Sequence, residues 1–251
     1  MKKLLGYIFS PIHYLFFGLF LLIFHPIQWL SLKLGGYSAH KKSVDILNFF
    51  LVSTYYLAGA SVRFENKFNL PQSRSIIFIA NHQSLFDIPP LIWHLRKHHA
   101  KFISKIELTK GIPSISFNLK YGGAANIDRK DPKQSIGQLL QLGQRMKQHC
   151  WSAVIFPEGT RTRNGKMKAF ATAGVATLLK KVPDALIVPV AIKGSWEFTK
   201  YGSYPLNFGE KISFTVLQPI EVPSHTAEEV VKAAEGVIRN FLGESDIPVV
   251  D

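Results

Sequence analysis

A single cysteine, Cys150, occurs in 251 residues, so no disulfide can close within the chain and stability must come from a packed core. This usage fits a reducing, cytosol-facing domain. A nucleophilic role for Cys150 gains nothing from His149 beside it, because adjacent side chains on a helix or strand point in different directions. Acidic residues are scarce too: seventeen Asp and Glu stand against thirty Lys and Arg, a net charge of +13. The imbalance points to anionic partners, whether nucleic acid, anionic lipid or a phosphorylated substrate. It is also concentrated, since residues 96–168 hold fifteen Lys and Arg and four Asp and Glu. Charged residues make up only 19% of the chain and apolar ones 47%, which excludes disorder and favours a globular protein that touches membrane. No Gly-x-Ser-x-Gly elbow exists, Gly194-Ser195-Trp196 lacking the pattern, which speaks against a serine hydrolase.

What is present begins with a long apolar segment. Leu4 to Phe24 is free of formal charge and long enough to cross a hydrocarbon core as a helix. Lys2 and Lys3 precede it as in a signal peptide, but His25-Pro26-Ile27-Gln28-Trp29 offers no small-x-small cleavage site, so the segment is expected to be retained. A second uncharged run covers Ile46 to Val62. Basic residues occur on every flank (Lys2, Lys3, Lys33, Lys41, Lys42, Arg63 and Lys67) and assign no inside or outside. Two arrangements stay open: a full span, or a helical hairpin seated in one leaflet, towards which Pro11 and His13 tilt the reading. The second run also suits a helix packed on the soluble domain.

From residue 65 the pattern alternates α and β. Strands are expected at Ser75–Ala80, Trp151–Phe156, Leu186–Ile192 and Lys211–Leu217, with shorter ones at Lys101–Ser104 and Ala124–Asp128. Asp131-Pro132 reads as an N-cap followed by Pro at the first helical position, opening a helix to about His149. Thr226 to Glu229 has capping-box spacing, and Ala227, Val230, Val231, Ala234, Val237, Ile238, Phe241 and Leu242 then form one apolar stripe for the core. The expectation is a membrane-anchoring segment, residues 1–64, and a single α/β domain, residues 65–251, built on a central mixed sheet flanked by helices.

The chemistry gathers at strand ends. SIIFIA runs into Asn81-His82, and Asp87 follows five residues after the histidine. On one helix, residues five apart lie roughly 140° around the axis, too far to pair. The pair works if His82 ends the strand and Asp87 opens the next helix, with Pro89 and Pro90 tolerated in its first turn. A carboxylate there fixes the imidazole tautomer and stabilises the imidazolium during proton transfer. At the end of another apolar run, Phe156-Pro157-Glu158-Gly159-Thr160-Arg161 supplies a carboxylate, a flexible glycine, a hydroxyl and a guanidinium suited to phosphate. His94 and His98, with His99 beside them, have i, i+4 spacing for zinc, but no third convergent ligand is evident, and no metal is expected.

Taken together, these blocks resemble the glycerolipid acyltransferase family, in particular the bacterial 1-acyl-sn-glycerol-3-phosphate acyltransferases, over roughly residues 65–220. Asn81-His82-Gln83-Ser84-x-x-Asp87 matches the first block. Lys105-Ile106-Glu107-Leu108 with Pro113, Gly123 and Ile127-Asp128-Arg129 matches the second. Phe156 to Arg161 matches the third and Ile187-Val188-Pro189-Val190 the fourth; Thr162 departs from the usual serine but keeps a hydroxyl. The resemblance implies acyl transfer from acyl-CoA or acyl-acyl carrier protein to the sn-2 hydroxyl of lysophosphatidate. His82 would act as general base and Asp87 would orient it, without cofactor, metal or covalent acyl-enzyme. It places Lys105, Arg129, Glu158, Gly159, Thr160 and Arg161 on the acceptor side, the cations holding phosphate. Glu158, unable to bind phosphate directly, would order Arg161 or a glycerol hydroxyl. Glycerol 3-phosphate and a lyso-ornithine lipid are the alternative acceptors. The partners implied are a lysophospholipid, the acyl donor and membrane lipid at the cytoplasmic membrane, with the catalytic domain facing the cytoplasm. A basic nucleic-acid-binding protein is the reading from another class. It leaves the apolar N-terminus and both strand-end motifs unexplained, and no recognised nucleic-acid module is present.

Overall fold

The computed structural model describes residues 1–222 and 225–244, so residues 223–224 and 245–251 of the expected 65–251 domain lie outside the described residues. Seven strands form one sheet: β1 (Ser61–Glu65), β2 (Ile76–Ala80), β3 (Ala100–Lys105), β4 (Ala125–Ile127), β5 (Ser152–Ile155), β6 (Leu186–Lys193) and β7 (Lys211–Val216), in the order β1-β7-β6-β2-β5-β3-β4. Among the strand pairs of the described residues only β6–β7 is antiparallel, so the sheet is mixed, as expected. All six expected strands are present. β1 is an addition: it pairs with β7, and its residues belong to the sheet ahead of position 65. Its exposed Ser61 and Arg63, the latter ion-paired at 2.7 Å to half-buried Glu65, suit an edge strand and concealed it at the end of an apolar run.

Alternation along β2 separates two cores. Ile77 and Ile79 face the side covered by α4 (Pro132–His149), α5 (Ala173–Leu179) and α7 (Ala227–Leu242), whereas Ile76, Phe78 and Ala80 face α2 (Ile88–His94) and the N-terminal helix. The caps read from sequence are formed: Asp131 accepts from the Gln134 N–H at 2.9 Å, and Thr226 and Glu229 complete a reciprocal box. The α7 stripe is narrower than expected. Val230, Val231, Ala234 and Ile238 are buried, but Val237 and Phe241 stand exposed because the sheet covers only part of the helix circumference.

α1 (Lys2–Leu57) breaks at Gly36 (φ 65°, ψ −159°), a left-handed conformation that glycine adopts without Cβ strain, and doubles back on itself. His13 meets Tyr55 with ring centroids 5.9 Å apart, and Phe20 stacks on Phe50 at 4.9 Å, so the two arms are antiparallel. The first arm is inside-out. Ser10, His13 and Gln28 are fully buried, while Leu4, Ile8, Ile12, Leu15, Leu19, Ile23, Ile27, Leu30 and Leu34 are exposed at helical spacing. The second arm does what either reading of its apolar run required in part: Leu47, Leu51 and Tyr55 are buried, and Ile46, Phe49 and Tyr56 remain exposed.

One cation of the basic belt leaves the surface. Lys101, only 7% exposed, donates to the Tyr37 hydroxyl at 2.5 Å and lies 4.5 Å from the Trp151 ring centroid, pinning the hairpin's turn to the sheet. Burial, reinforced by Lys41, pulls its pKa down to about 7.

Candidate active site

Because β2, β3, β4, β5 and β6 run parallel, their C-terminal ends share one edge of the sheet, where open α/β sheets place ligands. His82 leaves β2 in an extended loop. Ser84 caps the single 3-10 turn Leu85–Asp87, which runs into α2 with its prolines in the first turn. The turn carries Asp87 back to the histidine: His82 Nδ1 lies 2.8 Å from Asp87 Oδ2. The same oxygen accepts the backbone N–H groups of Gln83 at 2.7 Å and Ser84 at 2.9 Å. Asp87 is fully buried, and the His82 ring stacks on Phe156 with centroids 4.1 Å apart. An Nδ1–H directed at the carboxylate leaves Nε2 as the proton-accepting nitrogen.

The structure gives Glu158 two backbone partners, neither of them the Arg161 that it was expected to order. Its Oε1 accepts from the His82 N–H at 2.7 Å and its Oε2 from the Lys168 N–H at 3.0 Å. Burial pushes its pKa up to about 7, against the opposing effect of the Lys168 and His82 backbone donors. Backbone donors win this carboxylate because the 156–168 loop folds back over it. The Thr162 N–H donates to the His82 carbonyl at 2.9 Å, and Lys168 Nζ bonds the Thr160 hydroxyl at 2.5 Å and the Arg161 carbonyl at 3.1 Å. Gly159 sits in the turn at φ 70°, and the Thr162 hydroxyl is spent inside the loop on the Lys166 carbonyl at 2.6 Å.

The remaining cations are spread along the edge. Lys105 ends β3 and Arg129 follows β4, both exposed; at about 4.8 Å per strand they stand roughly 10 and 14 Å across the sheet from β2. Arg161 instead lines a cavity of about 300 Å³ beside the His82 loop, together with Gln83, Ser84, Arg163, Trp196 and Lys200. The structure therefore brings His82, Asp87 and Glu158 into contact, and the cavity lined by Arg161 includes neither Lys105 nor Arg129.

Several supporting residues were in view in the sequence without a role. Asn81 bridges to β6 as a strand would, its amide bonding the Ile192 carbonyl at 2.9 Å and accepting the Ile192 N–H at 2.7 Å. Gln83 Oε1 accepts from Ser195 N at 3.0 Å and Trp196 N at 3.2 Å, and the hydroxyls of Ser84 and Ser195 meet at 2.5 Å. Three polar side chains crowded around one histidine, directly after an apolar strand, were the signal. His94 and His98 go elsewhere: His94 stacks on Phe64 at 4.6 Å, and His98 packs edge-on to Phe78 at 5.8 Å. Among the described residues no three His, Cys, Asp or Glu side chains converge as a metal site.

The chain is similar to known proteins in sequence and in fold. The chloroplastic 1-acyl-sn-glycerol-3-phosphate acyltransferase of Arabidopsis thaliana is 32% identical over 143 residues, 57% of this chain and 38% of that protein. The alpha form of the enzyme so named in Mus musculus is 23% identical over 202 residues, 80% of this chain and 69% of that one. The crystal structure of the 1-acyl-sn-glycerophosphate acyltransferase of Thermotoga maritima superposes with a TM-score of 0.77 at 21% identity over the whole of both chains, a likeness of fold. The chain spans well under half the length of its chloroplast relative, and the family model named Acyltransferase matches residues 61–193, from the edge strand β1 to the end of β6. With His82, Asp87 and Glu158 all inside that match, the chain belongs to the acyltransferase family.

Proposed function

We propose that this protein transfers a fatty acyl group from acyl-CoA or acyl-acyl carrier protein to the sn-2 hydroxyl of 1-acyl-sn-glycerol 3-phosphate, forming phosphatidate. The observation that carries the reading is the buried, triply bonded Asp87 held 2.8 Å from His82 Nδ1 at the open edge of the sheet. His82 Nε2 takes the proton of the acceptor hydroxyl as its oxygen attacks the thioester carbonyl. Asp87 stabilises the resulting imidazolium. When the tetrahedral intermediate collapses, the C–S bond breaks, and the thiolate leaves with the proton that His82 carried. No acyl-enzyme forms, and no metal or cofactor takes part. The lipid identity of the acceptor is supported by the names of the relatives and by the inside-out first arm, whose exposed aliphatic stripe needs an apolar surrounding. Lying along the domain, the hairpin seats in one leaflet of the cytoplasmic membrane, with the catalytic edge on the cytoplasmic side.

Purified protein in detergent, given either donor and a panel of 1-acylglycerol 3-phosphate, glycerol 3-phosphate and a lyso-ornithine lipid, should make phosphatidate fastest. Preference for either other acceptor would overturn the assignment. The leaflet reading has its own test. Leu15 and Leu19 are 66% and 42% exposed, so Leu15→Lys with Leu19→Lys leaves the fold's interior untouched. The pair should lower partitioning into phospholipid vesicles by about a hundredfold or more in flotation assays. Undiminished flotation would refute insertion of this stripe.

A further inference from the structure

The turn that carries Asp87 contains a carbonyl that the sequence denies a helical partner. In a helix the Phe86 C=O accepts from the N–H three or four residues on, and those residues are Pro89 and Pro90, which have none. Phe86 is only 1% exposed, so bulk solvent cannot supply the donor. The Tyr55 hydroxyl, on the second arm of α1, does so at 3.0 Å.

Both sides of this contact are fixed. Tyr55 is fully buried, and its ring meets Phe86 edge-on with centroids 5.2 Å apart. His13, Phe17 and Phe198 also meet the Phe86 ring edge-on, at 5.4, 6.2 and 5.1 Å. His13 Nδ1 donates to the Thr54 carbonyl at 2.9 Å, which ties the first arm to the second beside Tyr55. Within the turn, Ser84 Oγ accepts the Phe86 N–H at 3.0 Å and meets the Ser195 hydroxyl at 2.5 Å. Phe86 is thus held at its ring, its N–H and its C=O. That C=O shares one rigid peptide plane with the nitrogen and Cα of Asp87, so whatever orients the carbonyl orients the start of the catalytic residue.

We propose that Tyr55 is a positioning residue for acyl transfer: by holding the Phe86 carbonyl it sets the peptide plane from which Asp87 reaches His82. The proposal rests on the acyl-transfer reading and adds to it a residue that lies ahead of the family match at residues 61–193. Asp87 Oδ2 serves three donors at 2.7–2.9 Å, so a rotation of that plane that improves one bond lengthens another. Tyr55 is buried away from both substrates and acts through Asp87. Loss of its hydroxyl therefore falls on the chemical step and spares substrate binding.

The test is a double-mutant cycle on the full chain in mixed micelles. Tyr55→Phe keeps the ring and its aromatic contacts, and should lower kcat about tenfold to a hundredfold with both KM values within about twofold of wild type. In the Asp87→Asn background the same substitution should change kcat by less than about twofold, because no charge is left there to aim. Thermal melts set an assay temperature at which every variant is folded. Proton NMR reads the same contact without turnover. The low-field resonance of the His82 Nδ1–H bonded to Asp87, assigned by its absence in His82→Ala, should shift upfield or broaden in Tyr55→Phe. An equal loss of kcat in both backgrounds would make Tyr55 a packing residue, and an unmoved resonance would detach it from the pair; either overturns the assignment. Active wild type with unchanged kcat in Tyr55→Phe overturns it alone, whereas wild-type protein inert towards every acceptor overturns the acyl-transfer reading and this role with it.

Discussion

Asp87→Asn should lower kcat for acyl transfer by about 10²–10⁴-fold, and His82→Ala by at least as much, with little change in either KM. The asparagine can present its carbonyl where Oδ2 now accepts from His82 Nδ1, Gln83 N and Ser84 N, so the loop keeps its shape. What disappears is the negative charge opposite the imidazolium, in a position with no exposure through which water could compensate. The amide nitrogen falls where Oδ1 now lies buried with no hydrogen-bond partner among the described residues, which should cost about 1–3 kcal/mol of stability. His82→Ala removes the base but also the stack on Phe156, so its melting temperature should fall by only a few degrees. Retention of most activity by either variant, measured as thiol release from acyl-CoA, would rule out the base mechanism.

Glu158→Gln separates positioning from chemistry. The carboxylate accepts two backbone N–H groups, from residues 82 and 168, and an amide can accept only one of them without turning its own N–H₂ against the other. The His82 segment should loosen, with kcat reduced about ten- to hundredfold and the acceptor KM little changed. A pH series gives a readout that a purely structural role would not move. With the Glu158 pKa at about 7 rather than the usual 4.5, the doubly accepting carboxylate is lost as pH falls through about 7, and activity should fall with it. Stability runs the other way. A carboxyl group whose folded pKa is raised favours the fold fully below 4.5, and that contribution is lost as pH rises through about 7. Wild type should therefore melt higher at pH 5 than at pH 8 by an increment that Glu158→Gln lacks, while the variant's activity loses its inflection near 7. An acceptor KM that rises alone would return Glu158 to substrate binding.

Much of the fold was legible because it is local. The apolar runs at 76–80, 152–155 and 186–192 suited strands covered on both faces, and Asp131 and Thr226 announced helices through caps a few residues long. β1 was missed because an edge strand with Ser61 and Arg63 exposed carries half the apolar signal of a buried one. The pairing of His82 with Asp87 was legible for the same reason of reach. A five-residue separation rules out a shared helix and leaves the strand-end geometry that the structure displays.

The sequence by itself determined the chemical groups at the strand ends, the caps and strands that carry them, and the apolar N-terminus that needs lipid or protein around it. Only the tertiary structure decided who meets whom across long separations. Glu158 closes on a backbone donor 76 residues away rather than on its neighbour Arg161, and Asn81 anchors to Ile192 across 111 residues. α1 turns back at Gly36 to lie along the sheet, aliphatic side out, and its first turns are tied to the wall of the cavity that holds Arg161. The physical reason is that a carboxylate or an apolar stripe specifies the kind of partner it requires, whereas which partner it reaches is fixed by how the whole sheet and its crossovers bring distant segments together.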